Sequence, residues 1–252
     1  MLAEWLTSLV TPCDPAVRRL GYLRELIAIR ARHRRCAPAW LAHRAACRAV
    51  VEAQAPGGRL AVVVGAGLCL DVPLDVLLAR YARVVLLDVC FLERHPRVER
   101  RVFDATGAIH TWAAQPSADP VAALSDPGWP QDLPEPDLVL SANLLTQLHL
   151  LPEAWLEPHH PDVDLAEACA RTHLRWLAHR PGVRLLIADL EEQVLDAAGT
   201  VIHTRPTTAA TLLPAPARTW TWDLAPHGEW DRDHALTRRV GAWDQNSLDS
   251  FL

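Results

Sequence analysis

Hydrophobic positions along the chain change period near residue 57. Before that point they recur at helical spacing. Val17, Leu20, Leu23 and Ile27 keep one face of a helix opened by Asp14-Pro15, with the acid as cap and the proline in the first turn. A second start at Pro38 leads to Trp40, Cys47, Val50 and Val51 on one face, and Ala55-Pro56-Gly57-Gly58 closes it. From Leu60 onward short apolar runs alternate with helical stretches, the pattern of a parallel sheet with right-handed crossovers. The predicted strands cover roughly 60–65, 84–88, 98–103, 137–142 and 183–189. The helix after the first strand is expected to start near Asp71, acting as N-cap, and to carry Val72, Leu74, Val76, Leu77 and Leu78. A longer helix over about 165–179, with Leu165, Cys169, His173, Trp176 and Leu177, stops before Pro181-Gly182. Residues 107–136 hold six prolines and little periodicity, which predicts a loop wrapping the surface; a lid over a site is the other reading. Near the end, Ala198-Gly199 sits inside Gln193–His203 and Trp220-Thr221-Trp222 alternates, so the sheet is expected to finish antiparallel. The organisation that follows is a helical amino-terminal addition over 1–56 and an α/β domain over 57–252.

Composition narrows this picture. Half of the 252 residues are hydrophobic and 22% are charged, enough for a sizeable core. The 25 basic residues are all arginine, and the formal charge of −5 argues against a surface that coats nucleic acid. The six cysteines form no CxxC pair and no zinc spacing, and most have apolar neighbours, as buried thiols of a reducing compartment would. Met1–Val10 lacks the basic start of a signal peptide and no apolar run is long enough to span a bilayer, so a cytoplasmic protein without a membrane partner is expected.

The chemistry concentrates at one strand end. The run Ala61–Val64 stops on Gly65-Ala66-Gly67, and the run Val84–Leu87 stops on Asp88. Glycines there let the backbone turn and approach a ligand with no Cβ in the way. A carboxylate ending the neighbouring strand can accept hydrogen bonds from both hydroxyls of a ribose. This describes a nucleoside-binding edge. The dinucleotide fingerprint G-x-G-x-x-G/A begins at Gly65 and Gly67 but meets Leu70 at its third small position. No helix start follows at once, so a pyrophosphate would lack the helix amino terminus that normally binds it.

Over about residues 60–190 the chain resembles the class I S-adenosylmethionine-dependent methyltransferases. The resemblance rests on Val63-Val64-Gly65-Ala66-Gly67, Leu86-Leu87-Asp88, Phe103-Asp104-Ala105-Thr106 and Asp137-Leu138-Val139-Leu140-Ser141-Ala142-Asn143. More narrowly it looks like a bacterial methyltransferase-like group whose glycine turn runs into Asp71-Val72-Pro73-Leu74. The resemblance implies a Rossmann-like methyltransferase fold that binds S-adenosylmethionine. Gly65, Ala66 and Gly67 would pass its methionine part, Asp88 would hold the ribose, Asp104 would reach the adenine amino group, and Ser141-Ala142-Asn143 would face the reacting methyl. The chain departs from the family in three places. Val63 replaces an acid two residues before the first glycine, Cys69 stands where a third glycine is common, and only nine residues separate Asp88 from Val98, so the second sheet helix is reduced to a turn.

The expected function is methyl transfer to an acceptor, small molecule or protein, that the sequence does not identify, and no catalytic residue is singled out. A non-catalytic binding protein of the same fold and a nicotinamide-dependent oxidoreductase are the alternatives. Asn143 could also be a plain helix cap. His43, between Trp40 and Cys47, is expected as a hydrogen-bonded core histidine, with a pocket base as the other reading; His149 could serve the same role. His159-His160 with Asp162 and Asp164 fits no recognised metal spacing, and no metal is expected. The carboxyl-terminal tryptophans are expected to fill the core rather than form a stacking platform.

Overall fold

The structure, a computed structural model, describes residues 2–249. Four helices come first: α1 (Leu2–Val10), α2 (Pro15–Arg19), α3 (Tyr22–Cys36) and α4 (Leu41–Gln54). Then follow β1 (Gly58–Val64), α5 (Leu74–Arg80), β2 (Tyr81–Asp88), β3 (Glu99–Val102), α6 (Ile109–Ala114) and β4 (Leu138–Ala142). A short 3-10 turn at Leu145–Gln147 leads to α7 (Leu150–Leu156), α8 (Ala166–Ala178), β5 (Val183–Leu195), β6 (Val201–Pro206) and α9 (Thr208–Leu212). The chain closes with β7 (Arg218–Ala225), β8 (Ala235–Trp243) and α10 (Gln245–Asp249).

The strands form one open sheet in the order β3-β2-β1-β4-β5-β8-β7, with β6 pairing β5. The pairs β1–β2, β1–β4, β2–β3 and β4–β5 are parallel; β5–β6, β5–β8 and β7–β8 are antiparallel. This is the expected α/β architecture: a mostly parallel sheet with an antiparallel finish, flanked by helices. Side chains alternate cleanly between two cores. Leu60, Val62, Val64, Val85 and Leu87 point to the face covered by α2, α6 and α8, while Ala61, Val63, Val84 and Leu86 point to the face covered by α4 and α5. Both faces being covered explains why these strands read as unbroken apolar runs. Helix α3 crosses between the two, giving Leu26 to one core and Cys36 to the other.

Several expectations change in detail. Asp14 caps α2 as expected, accepting from the Ala16 and Val17 amides at 2.8 and 3.4 Å. Asp71 does not cap α5. That helix begins at Leu74 after Pro73 with no side-chain cap, because the Asp71 carboxylate turns instead to His43. Residues 107–136 wrap the surface, but they contain α6 and bury Trp112, whose indole donates to the Pro120 carbonyl at 3.0 Å. Between Asp88 and β3 there is no helix among the described residues.

Candidate functional site

In open α/β sheets ligands bind at the carboxyl edge where strand order reverses, here between β1 and β4. A cavity of about 420 Å³ opens there. Gly65, Ala66, Gly67, Asp88, Asp104 and Asn143, the six residues singled out from sequence, all line it.

The turn after β1 is held by its neighbours. Gly65 donates its amide to the Leu87 carbonyl at 3.0 Å, and its φ of +73° lies in the left-handed region that favours glycine. A Cβ there would stand 2.6 Å from that of Leu144. Gly67, with φ +47°, donates its amide to Asp88 Oδ2 at 2.7 Å, and the Val89 amide donates to Oδ1 at 2.7 Å. Asp88 therefore joins the turn to the end of β2. Burial pushes its carboxyl up to about 6, against the pull of these backbone donors. Cys69 keeps the left-handed backbone of a glycine, with φ +55°.

Asp104 is already committed to local structure. Its Oδ1 accepts from the Thr106 amide and hydroxyl at 2.9 and 2.6 Å, and its Oδ2 accepts from the Ile109 amide at 2.8 Å, so it caps α6. With about four lone-pair positions on a carboxylate, one remains on Oδ2. Ser141 turns away from the cavity into the core, where its hydroxyl meets His173 Nε2 at 2.8 Å; burial lowers that imidazole to about 4. Asn143 does face the cavity. It is 4% exposed and holds a φ of +49°; its amide makes no hydrogen bond of ordinary length, but it lies near enough to the Asp189 carboxyl to help hold it lower. Asn is among the residues that tolerate that backbone region, and an under-satisfied buried amide costs stability, as it would where a ligand completes the site. Beside it lies the buried Asp189, raised to about 6 by burial and held lower by Arg238, which donates to its Oδ2 at 3.1 Å.

His43 is fully buried and belongs to the core. Trp220 donates its indole N–H to Nδ1 at 2.9 Å, so the imidazole carries its proton on Nε2 and donates to Asp71 Oδ1 at 2.9 Å. Cys47 lies 3.6 Å from the same Nε2. His43, Cys47 and Asp71 have the proximity of a metal site. The donor on Nδ1 rules out a free Nε2 lone pair, and burial pushes the Cys47 thiol far up, so the trio is a hydrogen-bond relay.

Sequence reasoning did not foresee the walls. Tyr22, Glu25, Leu26 and Ile29 form a second stripe on α3 that faces the cavity, and Trp222 and Trp40 close another side. The stripe has helical spacing, but Glu25 disguises it as solvent-facing. Burial, with the nearby charge of Asp104 next, holds the Tyr22 phenol well above its usual range. His149 and the 159–164 segment lie outside the cavity; Asp164 caps α8 by accepting from the Ala166 amide at 3.0 Å. The charge of the lining is one-sided. Four carboxylates face it (Glu25, Asp71, Asp88 and Asp104), and no arginine or histidine does among the described residues.

No family model matches the chain, and a search of curated proteins gives no match. Among solved structures it is similar to a proposed type II methyltransferase from Anaeromyxobacter dehalogenans, at 15% identity over 80% of this chain and 94% of that one, with a TM-score of 0.34. It is similar to the [4+2]-cyclase SpnF at 11% identity over 79% and 80% of the two chains, with a TM-score of 0.39. A precorrin 8w decarboxylase from Methanobacterium thermoautotrophicum shares 14% identity over 80% and 89%, with a TM-score of 0.30. Three different reactions stand behind these names, so activity must be argued from the site.

Proposed function

We propose that this cavity binds S-adenosylmethionine and that the chain is a methyltransferase. The observation that carries the reading is the one-sided lining, four carboxylates without a facing cation beside a glycine turn, in a chain whose basic residues number 25. A pyrophosphate needs cationic side chains or a helix amino terminus. Neither is offered at the turn, since α5 starts only at Leu74, and this disfavours nicotinamide dinucleotides. A cationic nucleoside suits the same surroundings.

When bound, S-adenosylmethionine supplies an electrophilic sulfonium methyl. The chain's residues supply the rest. Asp88, with the Gly67, Val89 and Cys90 amides on it, retains lone-pair capacity for a ribose hydroxyl, and Asp104 keeps one position on Oδ2 for an adenine amino group. The glycines admit the ligand close to the backbone. Asn143 offers an under-satisfied amide at the end of β4. Helix α3 with Trp222 and Trp40 keeps water from the reacting atoms. In-line methyl transfer asks chiefly for this alignment and dryness.

Calorimetric titration tests the reading. S-adenosylhomocysteine and S-adenosylmethionine are expected to bind and NAD to bind far more weakly. Tighter NAD binding, or no binding of either adenosyl ligand, overturns it.

A further inference from the structure

A second part of the cavity wall has its own chemistry. Asp71 lines the cavity, and its Oδ1 is taken by His43, whose orientation is in turn fixed by the Trp220 indole. Oδ2 makes no hydrogen bond among the described residues and is left for a ligand. The imidazole of His43 stacks on Trp222 with centroids 4.1 Å apart and planes 11° apart. Trp40 packs edge-on to Trp222 at 4.9 Å and 82°. Both tryptophans line the cavity beside the carboxylate. A held carboxylate next to aromatic surface is the arrangement that attracts an organic cation. Asn143 adds an under-satisfied amide to the same cavity. It is 4% exposed, lines the cavity and makes no hydrogen bond of ordinary length, its polar neighbour being the Asp189 carboxyl. The Asp189 carboxyl is held lower by the Asn143 side chain and raised by the charge of Asp71.

We propose that Asp71, Asn143 and Trp222 form the acceptor subsite and that the acceptor is an organic ammonium, making the reaction the methylation of an amine. This rests on the methyltransferase reading above. The balance is simple. The ammonium gives one proton to the Asp71 carboxylate. The freed nitrogen lone pair forms a bond to the methyl carbon, while the electron pair of the broken C–S bond stays on sulfur. The product leaves as an N-methylammonium, and Asp71 returns its proton to water. His43 is a positioning residue that keeps Oδ2 turned to the cavity.

The probes are phenethylammonium and cyclohexylammonium, each paired with the matching neutral alcohol, phenethyl alcohol and cyclohexanol. They are titrated calorimetrically into the full chain saturated with S-adenosylhomocysteine, at neutral pH. At least one ammonium is expected to bind about tenfold or more tightly than its alcohol, the effect of one charged hydrogen bond. Asp71→Asn, which keeps the shape and can still accept from His43, is expected to abolish that preference while S-adenosylhomocysteine affinity falls by far less. The proposal is overturned if neither ammonium outbinds its alcohol, or if the preference survives in Asp71→Asn. It is also overturned if Asp71→Asn weakens S-adenosylhomocysteine equally, which would give Asp71 to the cofactor's own ammonium group. Failure of the parent chain to bind S-adenosylhomocysteine in the first step counts instead against the methyltransferase reading. Repeating the pairs without it then still reads whether the wall prefers a cation.

Discussion

Asp88 concentrates the site's energetics in one carboxylate. It ends β2, anchors the Gly67 amide and titrates at about 6 because it is buried. Its folded pKa lies above the ordinary carboxylate value, so the folded chain holds that proton more tightly than the unfolded one. Ionisation of this group therefore costs stability as pH rises from about 4 to about 6. A ligand whose hydroxyls donate to the carboxylate has the opposite preference and binds the ionised form. S-adenosylhomocysteine affinity is expected to be level from about pH 7 to 8 and to fall by up to about tenfold per unit below pH 6. Titrations across that range check this, and a flat profile removes Asp88 from the ribose role. Asp88→Asn should bind about tenfold more weakly at neutral pH and lose the pH dependence. If the variant keeps it, Asp189, which also titrates at about 6 beside Asn143, carries it instead. Cys69 teaches a related lesson. Its φ of +55° keeps the backbone of the glycine that the methyltransferase resemblance leads one to expect, so the departure is in the side chain and not in the turn.

At the scale of elements, strands were legible and loop contacts were not. The runs at Ala61–Val64, Val84–Leu87 and Leu138–Leu140 are buried on both faces, so composition alone marks them. Asp71 reads as a cap because a capping rule sees only the next three residues. Its true partner, His43, lies 28 positions earlier and is brought there by α4. Helix α6 hides among prolines because its start is written in Asp104, five residues ahead of the Ile109 amide it caps. This dual use of Asp104 has a measurable outcome. Asp104→Ala is expected to cost about 1–2 kcal/mol in urea unfolding through the lost cap, and Asp104→Ser to recover part of that. An unchanged midpoint in Asp104→Ala would show that α6 stands without it.

At the scale of the molecule, the antiparallel half extends the sheet beyond the cavity. Strand β5 runs 13 residues, pairing β4 along Val183–Ile187 and β6 along Glu191–Leu195 on the same edge. The sequence indicated an antiparallel finish but not this overhang, since β6 is exposed along its whole length and carries no apolar run. Where the overhang begins, Arg238 bridges Asp189 and Glu192 at 3.1 and 2.5 Å. Removing one partner of a buried pair leaves the other uncompensated. Arg238→Met is therefore expected to destabilise the chain by about 3 kcal/mol at pH 8, and by less near pH 5, where Asp189 takes up a proton. Denaturant unfolding at the two pH values checks it; equal losses at both would mean that the Asp189 charge is not what Arg238 compensates.

The position of β1 in the middle of the five parallel strands matters while the chain is being made. Its partner on one side, β2, follows after a short helix, but its partner on the other side, β4, begins only at Leu138. At roughly 5–20 residues per second the ribosome needs about 4–15 s to pass from the end of β1 to β4. Throughout that interval the nascent Leu60–Val64 edge has open amides and carbonyls on an entirely apolar strand, a template for pairing with another chain. The proline-rich stretch that precedes β4 cannot itself add to that edge as a regular strand. The same placement that aims the glycine turn at the cavity thus leaves one edge of β1 unpaired in the newborn chain until β4 arrives.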